Sequence, residues 1–221
     1  MDGPIQDHAP AKPGPTGEVG PNAVIQLGHA VEARLGRAAA SCLFRAADLS
    51  DLLATPPQRM IDQAIPTRLF GALWSLFPDE AADMAQDAGR RTADYIIANR
   101  IPRIAKLVFA IAPRRVRTRL LIHAIARNAW TFVGSGGFEA KAAQAIMLEI
   151  ADNPMTMPGC AWHAAVFQRL FERLVAPGTE VRLVSGDAPG ERHRFHVTHP
   201  NPRAQGIASG HGLATLALRL R

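Results

Sequence analysis

The stretch from Asn153 to Val197 constrains this chain most. Pro158-Gly159 and Pro177-Gly178 bracket a run in which Cys160, Ala164, Phe167, Phe171 and Leu174 recur at helical spacing, so the spacing predicts an amphipathic helix over 158–176. Two β-prone runs follow, at 180–185 and 192–198, joined by a turn-forming segment at 186–191 that suits a hairpin. The remainder of the chain reads as a helical body that covers this unit.

Read in order, residues 1–20 carry four prolines and four glycines without apolar periodicity and are expected to be a disordered arm. A first helix starts near Pro21, with Val24, Leu27, Val31 and Leu35 on one face and Gly36 at its end. A second covers Phe44 to Leu53, and Thr55-Pro56-Pro57 breaks the chain. Met60 to Phe77 holds one or two short helices, interrupted at Pro66. A long helix opens at Pro78 and runs through Asn99, with acids in its first turns and Arg100 and Arg103 beyond its end, in accord with the helix dipole. Pro102 and Pro113 punctuate two more, over 103–112 and 114–128. At Trp130 the pattern changes. Trp130 to Val133 is β-prone, Gly134 to Gly137 is a turn, and alternation of Ile146, Leu148 and Ile150 makes 143–150 a strand. Residues 199–221 form a tail, with Leu213 to Leu220 a further short element. The expected class is α+β: a helical N-terminal body packed on a small antiparallel sheet, with 21–198 as a single domain divided into a helical part, 21–128, and a sheet-plus-helix part, 129–198.

Composition narrows the functional classes. Of 221 residues, 48% are hydrophobic, enough to bury a core, and only two are cysteines, Cys42 and Cys160, which argues for a reducing cytoplasm. No signal peptide or membrane-length apolar run is visible. The net charge is +6, and its asymmetry is local. Between Arg100 and Phe138 there is no acid, while Arg100, Arg103, Lys106, Arg114, Arg115, Arg117, Arg119 and Arg127 are all basic. Most of these side chains are expected to form a solvated face. Such a face suits carboxylate-bearing ligands, an acidic partner or an anionic membrane. Nucleic acid is not expected, because few aromatics interleave with the cations and no helix-turn-helix or zinc-finger spacing occurs. The glycines at 134–137 do not make a dinucleotide fingerprint, and neither a metal-binding cysteine cluster nor a nucleophile motif is present.

The candidate site residues follow from these patterns. His163 falls beside Phe167 and Leu170 at the edge of the apolar face of the 158–176 helix, with Cys160 on that face and Trp162 directed elsewhere. Spacing alone favours a half-buried, hydrogen-bonded His163 and a small core residue at Cys160. The functional alternative makes this helix one wall of a ligand pocket, with the imidazole as ligand or donor. His123 shares a helix face with Leu120 and Arg127, and Arg127 with Trp130 stands where the sheet begins. An apolar cavity with an arginine rim suits a planar macrocycle carrying propionates.

Gly20-Pro21-Asn22-Ala23, the unit around Cys160-Ala161-Trp162-His163, and Arg194-Phe195-His196-Val197 resemble the bacteriochlorophyll-synthesis protein J family, which contains a 4-vinyl reductase domain. The resemblance covers roughly 18–198 and is densest over 129–198. It implies a fold related to heme-based gas sensors and to vesicle-tethering subunits with a lipid channel. It also implies a role in bacteriochlorophyll synthesis, either binding a magnesium porphyrin as carrier or accessory factor, with no intrinsic cofactor, or reducing a vinyl group on a chlorophyll precursor. His163 is the first candidate axial ligand to the porphyrin magnesium and His123 the second. The implied partners are biosynthetic enzymes, and the implied location is the cytoplasm, with the photosynthetic membrane as a peripheral docking site. Many relatives in the wider domain family carry cysteines in the final hairpin. Ser185 to Phe195 has none, so no metal role is assigned there.

Overall fold

A computed structural model describes residues 17–142, 145–186 and 191–200. The remainder of the arm, the tip of the final hairpin and the tail beyond 200, including the expected element at 213–220, lie outside the described residues. Residues 17–20 depart from the expectation of a disordered arm. Strand β1 (Glu18–Val19) pairs antiparallel with β2 (Ile61–Asp62), and Val19 is buried.

Helix α1 (Asn22–Leu35) buries Val24, Leu27 and Val31 as its spacing selected, but leaves Leu35, at its last turn, exposed. The next helix differs from expectation. Gly36, at φ 85°, breaks the chain for a single residue, and the alanine-rich run after it forms α2 (Arg37–Ala46). Asp48, at φ 56°, then separates α2 from the short α3 (Ser50–Ala54). Pro66 does not interrupt α4 (Ala64–Leu76) but lies in its first turn, where a missing N–H costs no helical bond. The long α5 (Ala81–Asn99), then α6 (Arg103–Ile111) and α7 (Arg114–Arg127), follow the prolines as expected.

Trp130 to Val133 is not a strand. It is the four-residue helix α8, which continues the turn after α7 and ends at Gly134 with φ 56°. Intrinsic β-propensity yields here to packing, because Phe132 stacks edge-on against Phe138 and Phe167. The first strand of the main sheet is instead β3 (Gly137–Ala142), whose Glu, Lys and Ala gave little strand signal. It pairs in register with β4 (Ile146–Ala151), and the sheet order is β3-β4-β6-β5, all antiparallel, with β5 (Glu180–Ser185) and β6 (His193–Thr198) as the final hairpin. The central strands alternate: Leu148 and Ile150 from β4, and His193, Phe195 and Val197 from β6, are buried. The architecture is α+β, a helical N-terminal body with a small antiparallel sheet.

A 3₁₀ turn (Pro158–Cys160) leads into α9 (Ala161–Leu174), which lies between the sheet and the helical body. Nine of its fourteen residues are buried, so both of its sides are covered. Against the sheet it places Phe167, which meets Phe195 edge-on at 5.3 Å. Against α5 it packs closely at Gly89, whose lack of a side chain lets the two backbones approach. The Arg169 guanidinium forks onto both oxygens of Asp94 at 3.0 Å each, fixing the register between α9 and α5.

Candidate ligand-binding cavity

A cavity of about 540 Å³ lies among α5, α6, α7, α8 and α9, roofed by the start of α1. This is a volume typical of small-molecule sites. Ile96 and Thr92 enter from α5, Phe109 and Ala105 from α6, Leu121 and Ile125 from α7, and Trp162, Val166, Phe167 and Leu170 from α9. Trp130, Thr131 and Phe132 of α8 form one end. Its walls are mostly aliphatic and aromatic, with Asn22, Thr92, Asn128 and Thr131 as polar exceptions, and among the described lining residues only Arg100 carries a charge. Arg100 is exposed, so it stands at the mouth, with its guanidinium 6.0 Å from the Tyr95 ring centroid.

The roof explains one of the sequence patterns. Gly20, Pro21, Asn22 and Ala23 all line the cavity, and the Gly20 N–H donates to the Thr131 carbonyl at 2.7 Å. A Cβ at position 20 would press on that same oxygen at 3.3 Å, so glycine permits the bond that ties α1 to α8.

The candidate residues divide into two groups. Trp130, Trp162 and Phe167 line the cavity. His163, Cys160, His123 and Arg127 are not among its described lining residues. His123 and Arg127 are exposed on α7, whose cavity-facing positions are Leu121, Ala124, Ile125 and Asn128. The arginine that reaches the cavity is Arg100, at the end of α5. The sequence marked it only as one cation among eight, because nothing local shows which way a residue just past a helix terminus turns.

His163 is fully buried rather than half-buried, one layer behind the cavity wall. Its Nε2 faces the Phe132 carbonyl at 3.4 Å, and its ring meets the Trp162 ring edge-on with centroids 4.9 Å apart. No partner for Nδ1 occurs among the described residues. Loss of solvent on burial pushes its pKa down to about 4; the Phe132 carbonyl opposes this, and nearby His193 adds to the lowering. His163 is therefore neutral at pH 7. It packs against Phe132 and Trp162, two residues of the wall.

Cys160 is also buried, at the αL-conformation residue (φ 43°) that joins the 3₁₀ turn to α9. Its Sγ accepts from Asn153 Nδ2 at 3.7 Å, and Asn153 Oδ1 accepts the Met155 N–H at 3.0 Å, so Cys160 belongs to the entry of α9. Trp162 is 2% exposed and packs edge-on against Phe70 of α4. Its indole N–H is buried with no acceptor among the described residues.

A bacteriochlorophyll synthase 23 kDa chain from Cereibacter sphaeroides is 39% identical over 178 residues, which are 78% of this chain and 85% of that one. A second, from Rhodobacter capsulatus, is 34% identical over 206 residues, 91% of this chain and 96% of its own length. The chain belongs to the bacteriochlorophyll synthase 23 kDa chain family. No family model matches it. Among solved structures, an unliganded Fe(II) H-NOX protein mutant from K. algicida superposes with a TM-score of 0.60 over 85% of this chain and 100% of that one, at 10% identity. An H-NOX structure from work on heme distortion gives 0.57 over 81% and 94%, at 12% identity. This member of the 23 kDa chain family therefore has an H-NOX-like fold. In it the cavity is closed by aromatic rings and Arg100, and among the described lining residues there is no histidine, cysteine or acid.

Proposed function

We propose that this chain binds a tetrapyrrole intermediate of bacteriochlorophyll synthesis and serves as its carrier, or as an accessory factor that presents it to a biosynthetic enzyme. The observation that carries this reading is the cavity: about 540 Å³, walled by Phe109, Trp130, Phe132, Trp162 and Phe167, with Arg100 at its mouth. A macrocycle would lay its apolar faces on those rings, and a peripheral carboxylate would meet the Arg100 guanidinium. Membership of a family named for bacteriochlorophyll synthase and a fold shared with proteins studied for heme distortion support the same ligand class.

Magnesium would arrive as part of this cargo. The described lining residues offer it no imidazole, so binding rests on the faces and edge of the macrocycle. Absorption titration with magnesium protoporphyrin tests the reading. A red shift that saturates at micromolar protein is expected, and no shift with the wild-type chain would sink it. The same sample decides the enzymatic alternative implied by the resemblance. Turnover of a divinyl chlorophyll precursor with NADPH and no other protein would make the chain a vinyl reductase, whereas binding without turnover fits a carrier.

A further inference from the structure

Helix α6 is amphipathic with its apolar stripe turned outward. Ile104, Leu107, Val108 and Ile111 stand at i, i+3, i+4 and i+7, a spacing that ordinarily faces a core. Here they are 79%, 62%, 38% and 74% exposed. The opposite side of the helix, through Ala105 and Phe109, closes the cavity. Four large aliphatic side chains in one exposed row mark an interaction surface.

The surrounding charge says which partner. Arg103 opens α6, and Arg114, Arg115 and Arg119 follow on α7, all exposed and none in a salt bridge among the described residues. No acid occurs between Arg100 and Phe138. Val116 and Leu120 of α7 are also exposed, at 43% and 39%. A short aliphatic stripe opened by Arg103 and followed along the chain by the exposed cations of α7 fits a helix lying in the headgroup layer of an anionic bilayer, with its apolar side chains among acyl chains and arginines on lipid phosphates. A second copy of the chain is disfavoured, since pairing this face with itself would bring the same cations together. Among the described residues no helix is long and apolar enough to cross a membrane, so the contact would be peripheral.

We infer that α6 and the start of α7 form a docking face for an anionic lipid surface. One side of α6 then rests on lipid while the other walls the cavity, so an apolar ligand could pass between bilayer and cavity along this helix. The docking face stands on exposure and charge alone, and only that ligand route rests on the tetrapyrrole reading.

Sedimentation of the full chain with phosphatidylcholine vesicles, with and without phosphatidylglycerol, tests it. Binding to the anionic vesicles is expected to be about tenfold or more tighter and to weaken with salt. Ile104→Asp with Ile111→Asp should abolish it while leaving the thermal midpoint and the pigment titration in vesicle-free buffer unchanged. Arg114→Gln, Arg115→Gln and Arg119→Gln together should remove the preference for anionic lipid. Val184→Asp, at an exposed position on β5, should change nothing. Failure of the wild-type chain to sediment with anionic vesicles overturns the inference, as does equal binding by the aspartate variant. So does concentration-dependent dimerisation that the aspartate variant abolishes. Loss of pigment binding with vesicle binding intact would count against the tetrapyrrole reading and not against the docking face.

Discussion

Gly89 of α5 lies directly against the backbone of Trp162: a Cβ at position 89 would come within 2.5 Å of the Trp162 carbonyl oxygen and 2.8 Å of the Ala165 Cβ. This contact sets the distance between the two helices that share the cavity wall. Gly89→Ala should therefore destabilise the protein by about 1–3 kcal/mol, because backbone rather than a flexible side chain must move. Gly71, in α4, has nothing within 4 Å of its Cβ position. Gly71→Ala should instead stabilise by about 0.5–1 kcal/mol through helix propensity. Opposite shifts of the urea midpoints at unchanged slope would check the pair.

The buried His163 makes stability depend on pH. Its folded pKa is about 4 against an ordinary 6.5, so the unfolded chain takes up a proton first as pH falls. The contribution is fully present above pH 6.5, declines between 6.5 and 4, and is wholly lost below 4. The lowering corresponds to about 3 kcal/mol. His163→Gln should flatten the stability profile across that window, seen as a smaller fall in urea midpoint from pH 7 to pH 5.

Much of the helical body was legible because prolines and glycines punctuate it. Gly36, Pro102 and Pro113 mark real helix boundaries, and the apolar positions of α9 and all but Leu35 of those in α1 face the core as their spacing requires. Where reading failed, tertiary contact overrode local preference. Trp130 to Val133 is helical because Phe132 packs on Phe138 and Phe167, and β3 is a strand because β4 offers it a partner. The cavity was half legible. Aromatic residues on α9 pointed to a wall, but the selection of Arg100 over Arg127 depends on how helices α5 and α7 are placed about it, which no local pattern encodes. His163 attracted attention for its chemistry, yet it fills space one layer behind the wall.

Ala124 tests whether the cavity itself holds the ligand. It is exposed on α7 yet contributes to the lining, so its side chain stands where the cavity meets solvent. Ala124→Trp should obstruct the opening with little effect on folding, since an exposed helical position tolerates a large residue. Pigment affinity in an absorption titration should fall by about tenfold or more, while the thermal midpoint stays within about 2 °C. Unchanged affinity would place the ligand elsewhere.

Arg100 and Arg127 provide the sharpest contrast, because the sequence singled out Arg127 whereas Arg100 is the one that lines the cavity. Both are exposed, but only Arg100 lines the cavity. Arg100→Gln should weaken binding of a carboxylate-bearing porphyrin by about three- to tenfold, a modest effect because solvent screens a guanidinium at the mouth. Arg127→Gln should leave affinity unchanged. The loss at Arg100 should shrink as salt is raised and should be absent for a porphyrin esterified at its propionates, since neither condition leaves a full charge for the guanidinium to meet. Equal losses from the two variants would show that the cations act as a diffuse field, and a loss at Arg100 that persists with the ester would assign it a packing role at the cavity mouth.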